Sequence, residues 1–246
     1  MLEGLFRKNR FIYVICLISV LLVITGFKGI NRQAKQSQTK TQEAIINDQI
    51  NEVNKHLKLH PTDHMAYRKR GKLYRQIKDY KKALHDLNKA ISLADYDHYY
   101  ADRANIRRKT GDIKGAIDDL SIAIEKSHGS AKYLNNRGCL YIKLNEYKKA
   151  KNDFLEAFDK SWGSDCSVMF NLAQTYELLG DREKALKNYH KASRIFSSDY
   201  LPEQARNKMK ARLAGDWNSY KNWEESRYAK EVVYHGDKIY TEEDAD

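Results

Sequence analysis

The chain has 246 residues, of which 41% are hydrophobic and 31% charged, and only two are prolines. This balance allows a sizeable buried core, and it excludes an intrinsically disordered, collagen-like or disulfide-rich protein. Lysine and arginine outnumber aspartate and glutamate by 44 to 33, which gives a formal net charge of +11. Such an excess favours acidic partners, nucleic acid or anionic lipid, but it does not bear on the fold.

Residues 1–42 contain a candidate membrane anchor. A short basic head precedes an uncharged apolar run at residues 11–27, and these 17 residues are at the short limit for a helix that spans a bilayer. The run is longer than the apolar part of a usual signal peptide, and no small-residue cleavage site follows, so we predict an uncleaved anchor. The numbers of cations on the two sides of the run are nearly equal. Because a short basic head normally stays inside the cell, we predict that the bulk of the chain lies on the extracytoplasmic side. Residues 28–42 are polar and are interpreted as a tether or as an extension of the next helix.

A stretch that begins at His64 recurs three more times. Each copy has a small residue as its anchor, and the anchors are Gly71, Ala104, Gly138 and Ala173, at intervals of 33, 34 and 35 residues. Large residues stand one turn before and after most anchors, and alanines alternate with large residues in a second helix. Since residues three and four apart share one face of a helix, this pattern predicts two antiparallel helices that pack closely, small side chains against large ones. The columns of the second helix are Ala83, Ala116, Ala150 and Ala185; Leu87, Leu120, Phe154 and Tyr189; and Ala90, Ala123, Ala157 and Ala192.

A short polar linker separates the two helices of each copy. Its first residue is glycine or asparagine in three copies, which suits the left-handed backbone that ends many helices. An acidic residue follows in every copy, and aspartate can cap the amino terminus of the next helix. We therefore predict a tight turn at four linkers: Lys78-Asp79, Gly111-Asp112, Asn145-Glu146 and Gly180-Asp181.

These columns resemble the tetratricopeptide repeat (TPR), and the resemblance covers residues 63–198, more than half of the chain. The chain departs from the family pattern at Arg107, where an aromatic residue is expected, and the proline near the repeat end remains only as Pro61. The resemblance implies an all-α, right-handed superhelical solenoid of four helix pairs with flanking cap helices and, with the anchor, a transmembrane helix. The predicted segments are a leading helix at 43–60, which covers the first repeat, and repeats at 64–96, 97–130, 131–165 and 166–198.

Residues 199–246 are predicted to form cap helices and an acidic tail. Pro202 can open a helix that Gly215 ends, and its apolar residues fall at steps of four: Ala205, Met209 and Leu213. The ends of a solenoid need a polar outer face, which we assign to Lys208, Lys210 and Arg212. A second cap helix would carry Trp217, Tyr220 and Trp223, and residues 232–240 suggest a hairpin.

Motifs for catalysis or for cofactor binding do not occur in the sequence. There is no glycine-rich phosphate loop, no paired-cysteine metal spacing and no nucleophile elbow, so we predict a protein that is not an enzyme and needs no cofactor. His56, His60 and His64 fall at steps of four, but Pro61 interrupts their helix. We interpret them as solvated histidines near a helix terminus rather than as metal ligands. The acidic pair Asp118-Asp119 is interpreted as solvated too.

Two of the three cysteines lie within the repeats, at Cys139 and Cys166. Equivalent helices of neighbouring repeats run parallel, and their offset of roughly 12 Å along the axis, at 1.5 Å per residue, exceeds the roughly 7 Å that a disulfide can bridge. We therefore predict free thiols.

The resemblance also implies a binding surface, because the first helices of TPR repeats line a concave groove that takes a peptide. Asn136 and Asn171 hold the column at which family members often grip the backbone of a peptide, and the cations look like those that bind acidic side chains or a C-terminal carboxylate. This predicts a non-catalytic, membrane-anchored scaffold for an unidentified protein partner, as in the assembly of an envelope complex. The predicted groove residues are Arg68, Lys72, Arg75, Asn105, Arg108, Lys132, Asn135, Asn136, Asn171 and Gln174.

Other interpretations of the surface stay open. The segment 68–82 carries eight cations against one acid, Asp79, which would suit a membrane-tethered binder of nucleic acid, anionic lipid or glycan. Nucleic acid is the less favoured partner, because the cations point to several faces and the aromatic residues are assigned to buried columns. The surface could also be an ordinary solvated basic face, or Trp217 and Trp223 could join the chain to a larger complex.

Overall fold

A computed structural model describes residues 41–194 and 203–215. Every regular element in these two ranges is an α helix, which confirms the all-helical solenoid. The predicted second cap helix, hairpin and tail lie outside the described residues. The helices are α1 (41–59), α2 (His64–Gln76), α3 (Tyr80–Leu93), α4 (Asp97–Lys109), α5 (Ile113–Lys126), α6 (Ala131–Lys143), α7 (Tyr147–Lys160), α8 (Cys166–Leu178), α9 (Arg182–Arg194) and α10 (Glu203–Leu213).

The predicted anchor at residues 11–27 also lies outside the described residues. Among the helices of 41–194 and 203–215, none combines the length and the apolar character that a membrane span requires.

Helices α2 to α9 form four antiparallel hairpins, and the second helix of each hairpin packs on the first helix of the next. The predicted close approach is confirmed, because the alanine columns of the second helices are fully buried. Of the two glycine anchors, Gly138 has the tighter approach, because a Cβ atom there would lie 2.7 Å from the ring of Phe154. Small residues at the anchor positions therefore let the two helices of a repeat touch along their length.

The four linkers adopt the predicted turns. Their first residues are left-handed, with φ of 60° at Lys78, 87° at Gly111, 59° at Asn145 and 81° at Gly180. The aspartates that follow three of them accept the backbone N–H three residues on, as Asp79 does from Lys82. Glu146 makes no such cap.

Buried arginine–aspartate pairs join the two helices of the first three repeats. Each arginine donates through Nε and Nη2 to both oxygens of the aspartate sixteen residues later, at 2.6 to 2.9 Å. Its Nη1 also donates to a polar side chain on the preceding second helix, so each arginine connects three helices. The solvated interpretation of Asp119 is wrong, because its side chain is 1% exposed and lies between two arginines. The three sets are Arg70, Asp86 and Asn54; Arg103, Asp119 and Asn88; and Arg137, Asp153 and Ser121.

Arg107 occupies the place of the expected aromatic residue without breaking the hairpin. Its Nη1 lies 3.0 Å from Asp119 and donates to the carbonyl oxygen of Gly115 at 3.0 Å. The second repeat thus replaces an apolar contact with a charge-assisted one.

Helix α1 packs as the second helix of an incomplete repeat. Asn54 accepts from Arg70 as Asn88 does from Arg103, and the apolar residues of α1, among them Ile50 and Val53, join the core with Leu73. The leading helix therefore continues the repeat geometry by one helix.

Helix α10 covers the last repeat, as predicted, with Ala205 and Met209 in the core beside Phe170 and Tyr189. Its cations differ from prediction. Lys210 is exposed, but Lys208 and Arg212, which were assigned to the outer polar face, are only 5% and 3% exposed.

The reason is the carboxylate of Glu177 on α8, which accepts from Arg212 at 2.7 Å, lies 3.5 Å from Lys208 and accepts from the Tyr189 hydroxyl at 2.8 Å. Burial alone would raise the pKa of Glu177, but these cations and the hydroxyl hold that pKa below its ordinary value. A buried ion cluster therefore holds α10 on the last repeat.

Candidate binding surface on the first helices

The predicted site residues come from the first helices α2, α4, α6 and α8, and we call the surface that these helices share the inner face. Its amino-terminal part, on α2 and α4, is polar and accessible. Lys69 is exposed and Lys72 is half-buried. Arg68 donates to Asp102 at 2.5 Å and lies over the ring of Tyr99 at 5.7 Å. An ion pair therefore already holds Arg68, while Lys69 and Lys72 contribute positive charge next to it.

The central part of the inner face combines an amide and cations. Arg108 donates to the side-chain oxygen of Asn105 at 3.1 Å, and both side chains are half-buried. On α6, Lys132 is exposed and Asn136 is half-buried. Arg75 on α2 is half-buried as well.

In the carboxyl-terminal part, three predicted site residues are buried between helices. Asn171 of α8 donates to Asn135 of α6 at 2.9 Å, and both side chains are fully buried. Gln174 is 4% exposed, and its Nε2 has no hydrogen-bond partner among the described residues. Contact with a ligand here would require these amides to move, so their binding role stays a prediction. Sequence columns alone could not reveal this, because it depends on the burial of α8 on nearly all sides, its polar residues included.

A polar edge that the sequence reasoning missed runs along the amino-terminal ends of the first helices. Asp97 of α4 accepts from the hydroxyl of Tyr133 of α6 at 3.1 Å. Burial and the nearby Asp97 carboxylate raise the pKa of Tyr133 far above its ordinary value. The sequence could have indicated this edge, because Tyr133 stands 34 residues, one repeat, after Tyr99.

The three histidines do not converge on one point. His56 pairs with Asp63 at 2.8 Å and its ring lies 4.6 Å from that of His60. His64 instead lies 2.5 Å from the hydroxyl of Tyr99. Within residues 41–194 and 203–215, no group of three histidine, cysteine or acidic side chains is placed to hold a metal ion.

Neither cysteine of the repeats forms a disulfide within the described residues, as predicted, and both side chains are buried. Burial raises the pKa of the Cys139 thiol well above its ordinary value, so this thiol stays protonated at neutral pH and is a poor nucleophile.

Comparison with known proteins agrees with this geometry. A TPR protein of Methanocaldococcus jannaschii is 26% identical over 182 residues, which are 72% of this chain and 31% of that protein. Human tetratricopeptide repeat protein 13 is 28% identical over 129 residues, which are 52% of this chain and 14% of that protein. The chain thus spans less than a third of the length of these two relatives.

Two solved structures share the fold. MamA matches with a TM-score of 0.59 at 22% identity, over 65% of this chain and 94% of that one. YrrB, described as a TPR protein with an unusual peptide-binding site, matches with a TM-score of 0.56 at 20% identity, over 67% of this chain and 83% of that one. The tetratricopeptide repeat model matches residues 55–205, more than half of the sequence. This chain therefore belongs to the tetratricopeptide repeat family.

Proposed function

We propose that this protein is a non-catalytic adaptor that binds an acidic segment or a C-terminal peptide of a partner protein on its inner face. The observation that carries the proposal is positive charge on three successive first helices, with Lys72 on α2, Arg108 on α4 and Lys132 on α6. Stacking of the repeats brings these helices side by side, so an extended anionic segment can contact several of them at once. Hydrogen bonds between charged groups are the stronger kind.

The remaining inner-face groups suit a peptide ligand. Asn136 offers both a donor and an acceptor to a peptide backbone, and the Asn135–Asn171 pair fixes the spacing of α6 and α8 beneath it. The family and fold are those of protein-interaction scaffolds, and the related fold of YrrB carries a peptide-binding site. These similarities support an adaptor without identifying its partner.

Membrane attachment is a second part of the proposal. The apolar run at 11–27 would anchor the protein, with the repeats on the extracytoplasmic side, where an adaptor could assemble an envelope complex. The test is the fraction of full-length chain that stays with membranes in alkaline carbonate, together with protease access to the repeats in intact cells. Release by carbonate would contradict the anchor, and protection of the repeats in intact cells would contradict the sidedness.

The test of the inner face is a titration of the full chain, in detergent, with a labelled acidic peptide. Arg108→Ala should weaken binding by about 1 to 3 kcal/mol, the range for losing hydrogen bonds to a charged group, and Lys132→Glu should weaken it further. Lys81→Glu on α3, an exposed cation away from the inner face, is the matched control. Equal affinity of all variants would contradict the proposal.

Binding of polyanions is the alternative, and the basic segment 68–82 favours it. At least three of its eight cations already pair with carboxylates, since Arg68 meets Asp102, Arg70 meets Asp86, and Lys82 meets Asp79. Salt separates the two functions, because a polyanion binder loses orders of magnitude in affinity between about 50 and about 200 mM salt. If Lys81→Glu abolishes binding of a single-stranded oligonucleotide and no peptide binds, the polyanion function replaces the adaptor.

A further inference from the structure

The two edges of the repeat array carry opposite charge. Because the helices of a repeat are antiparallel, the turns inside the repeats lie at one end of the helices and the linkers between repeats lie at the other end. We call the first the turn edge, residues 77–82, 110–115 and 144–149, and the second the linker edge, residues 92–97, 125–130 and 159–165. The turn edge has six lysines against three acids, whereas the linker edge has five acids against two lysines.

The acids of the turn edge are already neutralised by nearby cations. Asp79 pairs with Lys82 at 2.8 Å, Glu146 pairs with Lys149 at 2.5 Å, and Asp112 lies 3.5 Å from Arg107. The turn of the fourth repeat does not continue the excess, since residues 179–184 carry two cations and two acids. The other four lysines of the turn edge are exposed and have no ion pair within residues 41–194 and 203–215: Lys78, Lys81, Lys114 and Lys148.

The linker edge has acids that no cation of the described chain neutralises. Glu125 and Asp159, at the ends of α5 and α7, are both exposed and form no ion pair there. The second lysine of this edge, Lys160, donates to a backbone carbonyl at 3.4 Å instead. The remaining acids have partners, which are Lys126 for Asp95, the hydroxyl of Tyr133 for Asp97, and the first backbone N–H groups of α8 for Asp165.

Two exposed aromatic side chains lie among these acids. Trp162, three residues after Asp159, is 95% exposed, and Tyr96 is 49% exposed. Trp162 has a φ of 54°, a left-handed conformation that strains a bulky residue. Aromatic faces attract ammonium groups, and tryptophan and tyrosine are enriched among the residues that dominate protein interfaces. The linker edge therefore combines two features that bind lysine, unpaired carboxylates and exposed rings.

The unpaired charges of the two edges have the same spacing. Lys114 and Lys148 are 34 residues apart, and so are Glu125 and Asp159. Each pair spans the step from the second repeat to the third, so the same translation and rotation separate its members. A parallel copy with its second repeat beside the second repeat of the first copy would bring both lysines to both acids at once. An unrelated partner would have this spacing only by chance, whereas a second copy of the chain has it by construction.

We propose that the turn edge of one copy of this protein binds the linker edge of a second copy. Two different surfaces meet in this contact, so every copy keeps one edge of each kind available, and the copies form an open row. The net charge of +11 opposes the approach of two copies, which makes the contact reversible and dependent on the local pairs. The first helices run from one edge to the other, so the inner face stays accessible in such a row, and the inference does not rest on the adaptor function.

The test is sedimentation velocity of the full chain in detergent over a range of concentrations. The wild type should form dimers and longer species as its concentration rises. The turn-edge variant Lys81→Gln/Lys114→Gln/Lys148→Gln removes three charges, which lowers the net charge from +11 to +8 and reduces the general repulsion between copies. It should nevertheless raise the concentration of half-association at least about tenfold, because the three contacts are lost.

The linker-edge variant is Trp162→Asn, which leaves the net charge unchanged and suits the left-handed backbone, as Asn145 does at a φ of 59°. It should also raise the concentration of half-association at least about tenfold, as expected for an aromatic residue that dominates an interface. Lys187→Gln in the middle of α9, an exposed cation away from both edges, is the matched control and should not weaken association. Circular dichroism with wild-type helix content shows that each variant is folded.

A mixture of the two edge variants gives the decisive result. Each variant keeps one intact edge, so an equimolar mixture should form one-to-one dimers and no longer species. Three results would overturn the proposal: a wild type that stays monomeric at every concentration, association that persists in both edge variants, or a mixture that stays monomeric. The second result would assign the association to the apolar run at 11–27 or to another surface.

Discussion

The first three repeats and the fourth repeat connect their two helices with different chemistry. In repeats one to three an arginine of the first helix bridges to an aspartate of the second and to the preceding repeat. The fourth repeat has Leu172 and Asn188 at the places of the arginine and the aspartate, both buried, and Asn188 donates to the carbonyl of Lys184 in its own helix. In α1, α3 and α5 an asparagine or serine accepts a hydrogen bond from the arginine of the next repeat, but α7 has Leu155 at that position. Between the third and fourth repeats, therefore, both the arginine and its polar acceptor are replaced by leucine. The helix pair of a repeat therefore depends on its columns of small and large residues. The positions of the arginine and the aspartate, by contrast, can hold either an ion pair or uncharged residues.

Breaking one ion pair should have the largest effect. Arg137→Leu leaves the Asp153 carboxylate buried without its cation, and burial already raises the pKa of Asp153. Removal of one partner of a buried pair costs about 3 to 5 kcal/mol. The double variant Arg137→Leu/Asp153→Asn copies the fourth repeat and should return to within about 1 kcal/mol of the wild type, because no buried charge remains.

Urea unfolding followed by circular dichroism measures both variants. A double variant as unstable as the single one would show that the third repeat requires the ion pair, and that the fourth repeat is stable for reasons peculiar to its own neighbours.

The fourth repeat has its own buried charge at Glu177. Replacement of Glu177 should have the next largest effect on the free energy of unfolding. Glu177→Gln removes the buried carboxylate that Arg212 and Lys208 meet, at a cost of about 3 kcal/mol. The pKa of Glu177 is held below its ordinary value of 4.5. The stabilisation by the carboxylate is therefore complete above that value, and it is lost as the pH falls through the lower pKa of the folded state.

The difference in unfolding free energy between the wild type and Glu177→Gln should thus be constant near neutral pH and should shrink below about pH 4.5. Hydrogen exchange of the α10 amides gives a local measurement, with faster exchange expected in the variant. A difference that grows on acidification would contradict this account of the cluster.

The third largest effect is expected at the glycine anchors, where the third repeat differs from the first. A Cβ at Gly138 would lie 2.7 Å from the Phe154 ring, whereas one at Gly71 would lie 3.2 Å from its nearest atom, the carbonyl oxygen of Ala83. Gly138→Ala should therefore cost about 2 kcal/mol through overpacking. Gly71→Ala should be close to neutral, because a gain in helix propensity of about 1 kcal/mol offsets the tighter contact. Thermal unfolding of the two variants gives the comparison, and equal shifts would contradict it.

The sequence predicted the helix pairs and their turns because these depend on local periodicity and on small residues at fixed spacing. It failed where the partner of a side chain depends on three-dimensional neighbours. Asp119 was interpreted as solvated, but it is buried beside two arginines. Lys208 and Arg212 were predicted to lie on an outer face, but both are buried against the carboxylate of Glu177. Each case needs knowledge of a charge twelve or more positions away in the sequence. The inner-face columns were predicted from the family, yet the burial of Asn135 and Asn171 depends on how α6 and α8 pack against each other.

The smallest effect concerns the turns, where the first repeat again differs from the second and fourth. Lys78 has a φ of 60°, at the place where Gly111 and Gly180 stand in the other two. A left-handed non-glycine residue costs roughly 1 kcal/mol, and glycine removes this strain but loses more entropy on folding. Lys78→Gly should therefore stabilise the protein by only about 0.5 kcal/mol, while Gly111→Ala should destabilise it by about 1 kcal/mol. The midpoints of urea unfolding test both changes, and a loss of stability in Lys78→Gly would show that the lysine side chain contributes more at this turn than its backbone conformation costs.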